Sequence, residues 1–102
     1  MLIRVKNKVV GLVENGIFKK KVNGSKHFLR KPPAIAFDVD TINSAKKSGA
    51  KHIEIFDKDS NNFYLTRMAK LDEKGFEFNR GFGKQVAMVM SDWFELKKER
   101  LQ

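Results

Sequence analysis

Ile3 and Val5 alternate with Arg4 and Lys6, the two-residue period of a half-buried strand. Residues 9–13 form an apolar run rich in β-branched side chains. Asn15-Gly16 follows, the pair best suited to a two-residue hairpin turn with positive φ angles, and residues 17–22 run back. The pattern predicts two strands joined at Asn15-Gly16, the second ended by Asn23-Gly24-Ser25. Lys19, Lys20 and Lys21 fall inside the returning strand, where successive side chains point to opposite faces. With a two-residue turn, Lys20 shares a face with Phe18 and Val22, and with Val9 and Val13 across the turn. Lys19 and Lys21 take the other face. A change of one residue in loop length rearranges those pairs.

Lys31-Pro32-Pro33 predicts an extended connector, because proline has no N–H to give to a ladder. Beyond it, residues 34–39 read as a short apolar strand. Asp40 or Thr41 is the expected cap of a helix running through Ser48, with Gly49 in the left-handed position after it. Residues 51–56 and 63–66 read as paired strands across the polar turn 57–62. Apolar side chains on both faces of that hairpin place it centrally in a sheet, covered on two sides. Residues 67–74 suit a short helix ended by Gly75, residues 79–83 a loop, and residues 85–90 a strong strand. Ser91 is the expected cap of a terminal helix carrying Trp93, Phe94, Leu96 and Leu101. The sum is an α+β fold: a single small domain with a mostly antiparallel sheet, an N-terminal basic β-hairpin and two or three short helices. The large aromatics Trp93 and Phe94 are expected in its core.

Charge sharpens this picture. The chain has 102 residues and a formal net charge of +9. Residues 1–32 hold nine Lys/Arg (Arg4, Lys6, Lys8, Lys19, Lys20, Lys21, Lys26, Arg30, Lys31) against the single acid Glu14. Residues 33–102 hold twelve Lys/Arg against eleven Asp/Glu, so the basic excess belongs to the first third. The Pro32-Pro33 seam therefore separates a basic β arm, residues 1–32, from a nearly neutral α/β body, residues 33–102, within one domain. Crowded lysines repel one another unless an anion neutralises them. A two-stranded ribbon can enter a DNA major groove or lie along a phosphate backbone. Lys outnumbers Arg seven to two in the arm, which favours backbone contact over bidentate base reading.

Cysteine is absent, which excludes disulfides, thiolate nucleophiles and cysteine zinc sites. Arg4 and Lys8 interrupt any apolar run of signal-peptide type, and the longest apolar stretch is far too short to span a bilayer. The expectation is a cytoplasmic protein with no membrane partner.

Four short motifs touch on chemistry. Residues 34–41 resemble the nucleophile motif of haloacid dehalogenase-type phosphatases, which delivers two carboxylates, here Asp38 and Asp40, to a metal and a phosphoryl group. Thr41 and Ile42 depart from that motif, and the rest of the chain is too short for the family's doubly wound sheet. Asp38 and Asp40 are therefore read as a strand end and a helix cap. Asp57-x-Asp59-x-Asn61 matches the first ligand positions of a calcium loop, but Asn62 and Met68 replace its glycine and bidentate glutamate, leaving a polar turn. Asp72-Glu73-Lys74 has the spacing of metal-dependent nuclease cores, yet it falls on a helix end. Arg80-Gly81-Phe82-Gly83 resembles the start of an RNA-recognition-motif signature; Lys84 and Gln85 break it, and it lies on the wrong element for that fold. The local chemistry there retains interest, since Arg80 and Lys84 flank glycines that let a backbone approach a phosphate. His27 and His52 form no catalytic grouping.

The leading expectation is a small nucleic-acid-binding protein that grips the phosphate backbone of DNA or RNA with low sequence specificity. Its contacts are the nine arm cations together with Arg80 and Lys84; no cofactor or metal is called for. The alternatives are an inhibitor-like module docking on an acidic protein and a small metal-dependent nuclease.

Overall fold

A computed structural model describes residues 1–23, 34–81 and 83–96 of the chain. The N-terminal apolar pattern resolves into three strands: β1 (Leu2–Val5), β2 (Lys8–Glu14) and β3 (Ile17–Val22). Lys6 and Asn7, both at positive φ, turn β1 into β2, so the stretch before Asn15 is two strands where one was expected. The Asn15-Gly16 turn forms as the residue pair dictates, with φ of 53° and 76°. It pairs Val13 with Phe18 and Glu14 with Ile17, the register of a two-residue loop.

The basic hairpin is not set apart from the rest of the chain. β3 runs parallel to β5 (His52–Asp57) along its whole length, from Ile17↔His52 to Val22↔Asp57. β5 pairs antiparallel with β6 (Asn62–Arg67), and β6 with β9 (Phe94–Leu96). The result is a six-stranded sheet in the order β1-β2-β3-β5-β6-β9, antiparallel except at β3–β5. β5 is central in it, as its two apolar faces predict.

A second, three-stranded antiparallel sheet has β8 (Gly83–Val89) between β4 (Ala34–Asp38) and β7 (Phe76–Arg80). β7 was expected to be partly loop; the alternation of Phe76, Glu77 and Phe78 fits a strand, and it continues through Arg80. The two sheets face each other. Phe18 from the first meets Phe37 from the second edge-on, with ring centroids 6.4 Å apart, and Trp93 closes on Phe37 at 6.2 Å. Phe18, Ile35, Ile53, Ile55, Leu71 and Met88 are the fully buried side chains of this core. Helix α1 (Val39–Lys47) lies against β1, β2, β4 and β8, burying Thr41, Ile42 and Ala45. Helix α2 (Met68–Lys74) buries Met68 and Leu71 against β6 and β8.

Two expectations need correction. α1 starts one residue after Asp38, which takes the N-cap position in place of Asp40 or Thr41, and Asp38 makes no side-chain cap bond. The terminal segment does not continue as a helix from Ser91 within the described residues. Met90–Asp92 is a single 3-10 turn, after which Phe94–Leu96 becomes a strand on the edge of β6. A free ladder edge on β6 outcompetes a helix whose only local support is one capping serine. Trp93 is buried as expected, whereas Phe94 is 65% exposed and lies outside the core. Leu101 lies outside the described residues, as do Pro32 and Pro33.

Candidate functional site

Strand alternation sorts the six-stranded sheet into two faces. Val13, Phe18, Ile53 and Thr66 stand in one row and are buried, which marks the core face. The opposite, outer face is built of the adjacent rows. One row runs Leu12, Lys19, Glu54, Leu65, Phe94. The next runs Lys21, Phe56, Phe63. The same alternation along β1 puts Leu2 and Arg4 on this face. The outer face therefore carries Arg4, Lys19 and Lys21 among apolar and aromatic side chains, with Glu54 and Glu14 as acids beside them.

A groove opens in this face because β2 and β3 part company. Ile3 pairs with Gly11 and Arg4 with Val9, so Val10 is an extra residue, a β-bulge. The β2–β3 register ends at Leu12↔Lys19, while β3 continues along β5 to Val22. The gap is a groove of about 680 Å³, walled by Val9, Val10, Leu12, Phe56 and Phe63 and lined by all three consecutive lysines. Phe56 and Phe63 stand side by side in its wall, ring centroids 4.8 Å apart and tilted by 41°.

The three lysines have different environments. Lys21 is exposed and makes no ion pair among the described residues. Lys19 Nζ donates to Glu14 Oε1 at 3.0 Å, a surface pair of small energetic weight that a phosphate can displace. That hydrogen bond, with the charge behind it, holds the Glu14 carboxyl below its ordinary range and raises the Lys19 ammonium. Lys20 is on the Phe18 face, as the two-residue turn requires, and its stem passes into the protein. Its Nζ donates to the carbonyl of the bulged Val10 at 3.2 Å. Burial pushes the Lys20 ammonium below the usual lysine range, and the Asp38 carboxylate partly restores it.

A second concavity, about 630 Å³, brings together three other predicted residues: Lys6 from the β1–β2 turn, and Arg80 and Lys84 from the β7–β8 hairpin. Asp38 and Asp40 line it as well, and Gln85 donates a hydrogen bond to Asp38. Lys84 lies 3.6 Å from Glu77. With Glu77 beside Lys84, this cleft sets three carboxylates against its three cations, whereas the groove sets Glu54, and Glu14 on Lys19, against its three lysines. Lys8 is exposed at the start of β2. Lys26, Arg30, Lys31 and His27 lie outside the described residues, as does Phe82.

The remaining motifs have structural occupations. Asp57 accepts hydrogen bonds from the Asp59 N–H at 3.0 Å and the Ser60 hydroxyl at 2.8 Å, which shapes the β5–β6 turn, with Asn61 at positive φ. Asp72 is exposed on α2 and receives the Lys46 ammonium at 2.6 Å. Among the described residues no three His, Asp or Glu side chains gather as a metal site. No helix among them is long and apolar enough to cross a membrane.

The sequence pointed to the cations but not to Phe56 and Phe63. Both were read only as central-strand residues. Their place beside Lys21 follows from the parallel β3–β5 register, which no local pattern encodes. Comparison with known proteins adds no relative: no protein-family model, no curated protein and no solved structure matches this chain.

Proposed function

We propose that this protein binds nucleic acid along the outer face of its six-stranded sheet, gripping the phosphate backbone with little sequence specificity. The observation that carries the reading is the row Lys21, Phe56, Phe63 beside Lys19, which places two outward lysines and two aromatic rings along one groove. Interleaved cations and aromatics on a sheet are the common equipment of nucleic-acid platforms, where cations meet phosphates and rings meet bases. Lysine ammoniums act as point charges, so they hold a backbone without selecting a base edge. Arg4 on the same face extends the positive track.

The nuclease alternative gains no support from its own residues: Asp72 is on a helix in an ion pair, and Asp57 serves a turn. An acidic protein partner would use the same cations but would leave the aromatic wall without a role.

The test is a fluorescence-anisotropy titration with an oligonucleotide between about 50 and 200 mM salt. Affinity is expected to fall linearly on a log-log plot. Replacing Lys19 and Lys21 together by Gln is expected to weaken binding and flatten the slope by about 1.4 if the strand is single, since each phosphate contact contributes about 0.7. An unchanged slope removes these two lysines from the contact surface. Binding to an acidic protein but to no oligonucleotide would favour the alternative.

A further inference from the structure

The nucleic-acid reading leaves the form of the strand open, and the groove decides it. A β-ribbon enters a duplex major groove when its two strands stand clear of other structure. The β2–β3 hairpin does not: β1 is hydrogen-bonded along one side of it and β5 along the other, so it sits third and second from one edge of a six-stranded sheet. Duplex phosphates could touch the face, but no ribbon is free to reach base edges.

The groove has a different fit. Its wall holds two phenyl rings in contact with each other, and Lys19 and the exposed Lys21 line the same cleft. Aromatic side chains lining a groove can take an unpaired base, while a base inside a duplex has both faces already covered by its neighbours. In register, Lys21 is directly beside Phe56, and Phe56 directly beside Phe63. Such cross-strand neighbours stand about 5 Å apart at their Cβ atoms, so the lysine and the two rings lie within reach of one nucleotide. Positive charge beside the rings also complements a polyanion. An acidic peptide would satisfy the lysines but has no flat group for the rings.

We propose that the groove takes single-stranded nucleic acid, with one or two bases stacked against Phe56 and Phe63 and the flanking phosphates held by Lys19 and Lys21. The occupant is the same as in the proposed function, and the inference rests on that reading; what it adds is the strand state and the base contact.

The experiment measures the affinity of the wild-type protein for four labelled probes of equal phosphate number. These are an oligo-dT of about 15 nucleotides, the oligo-U of the same length, an abasic strand with the same backbone, and a duplex. Oligo-dT or oligo-U is expected to bind about ten- to a hundredfold more tightly than the abasic strand, the increment one stacked base supplies. The duplex is expected to bind no better than the abasic strand. Phe63→Leu, which keeps an apolar side chain in the wall, is expected to abolish most of that difference, read as the ratio of the two affinities. Its circular dichroism and unfolding midpoint are compared with wild type to confirm the fold. Equal affinity for oligo-dT and the abasic strand overturns the stacking proposal and leaves backbone binding intact. Tighter binding of the duplex overturns it as well. Failure of all four probes to bind overturns the nucleic-acid reading itself.

Discussion

Lys20 shows how a single residue can carry a cost that its neighbours do not. Lys19 and Lys21 project from the outer face, but Lys20 shares the face of Phe18 and Val22 and threads its ammonium to the Val10 carbonyl. Folding therefore takes a cation partly out of water, and its pKa falls from the ordinary 10.5 because burial disfavours the charged form. Between the lowered value and 10.5, the unfolded chain binds more protons than the folded one, so stability rises with pH across that alkaline window. Below the window the full penalty is present. Lys20→Met keeps an extended apolar stem and removes the charge. The variant is expected to resist urea better than wild type at neutral pH and to lack the alkaline gain. Urea unfolding of both proteins at neutral and alkaline pH checks this. A variant less stable at neutral pH would mean that the bond to Val10 outweighs the burial penalty. The alternation of strand side chains made the split among the three lysines legible in the sequence. The depth of Lys20 was not, because it depends on the bulge at Val10 and on the start of α1, where Asp38 lies.

At the scale of elements, β2 and β3 are held close at one end and parted at the other. Gly11 makes the close approach possible. A Cβ placed there would sit 2.5 Å from the Phe18 ring and 2.7 Å from the Lys19 carbonyl oxygen. Neither can yield easily, since Phe18 is fully buried and the carbonyl belongs to the backbone. Gly11→Ala is expected to destabilise the fold by about 1–3 kcal/mol, the usual penalty of overpacking, measured by chemical denaturation. A loss well below that range would show that β2 can shift, and with it the wall of the groove. The elements themselves were unevenly legible. Asn15-Gly16 announced its hairpin because only certain residues accept both positive φ angles. Polar residues 57–62 announced a turn between β5 and β6 for a similar reason. β9 was hidden: Ser91 followed by Trp93 and Phe94 imitates a helix start, and only the unpaired edge of β6 makes Phe94–Leu96 a strand. The Lys6-Asn7 turn was hidden too, because lysine at positive φ is a poor turn signal.

Across the whole molecule, two sheets enclose one core, and the outer face of the larger sheet carries the proposed site. The charge asymmetry of the sequence foretold which third of the chain would bear the cations. It could not foretell that β3 would lie parallel to β5 across a crossover containing β4 and α1, and so set lysines beside phenylalanines from the body. The predicted basic residues accordingly divide. Lys19, Lys20 and Lys21 line the groove, with Arg4 on the same outer face, while Lys6, Arg80 and Lys84 enter a cleft already supplied with Asp38 and Asp40. The central claim is that the groove, not the cleft, receives nucleic acid. Amide chemical shifts of the ¹⁵N-labelled protein, recorded as a single-stranded oligonucleotide is added, test this most directly. The predicted result is a set of saturable shifts concentrated at Val10, Leu12, Lys19, Lys21, Phe56 and Phe63. Shifts concentrated instead at Lys6, Asp40, Arg80 and Lys84, or no saturable shifts at low salt, would contradict it.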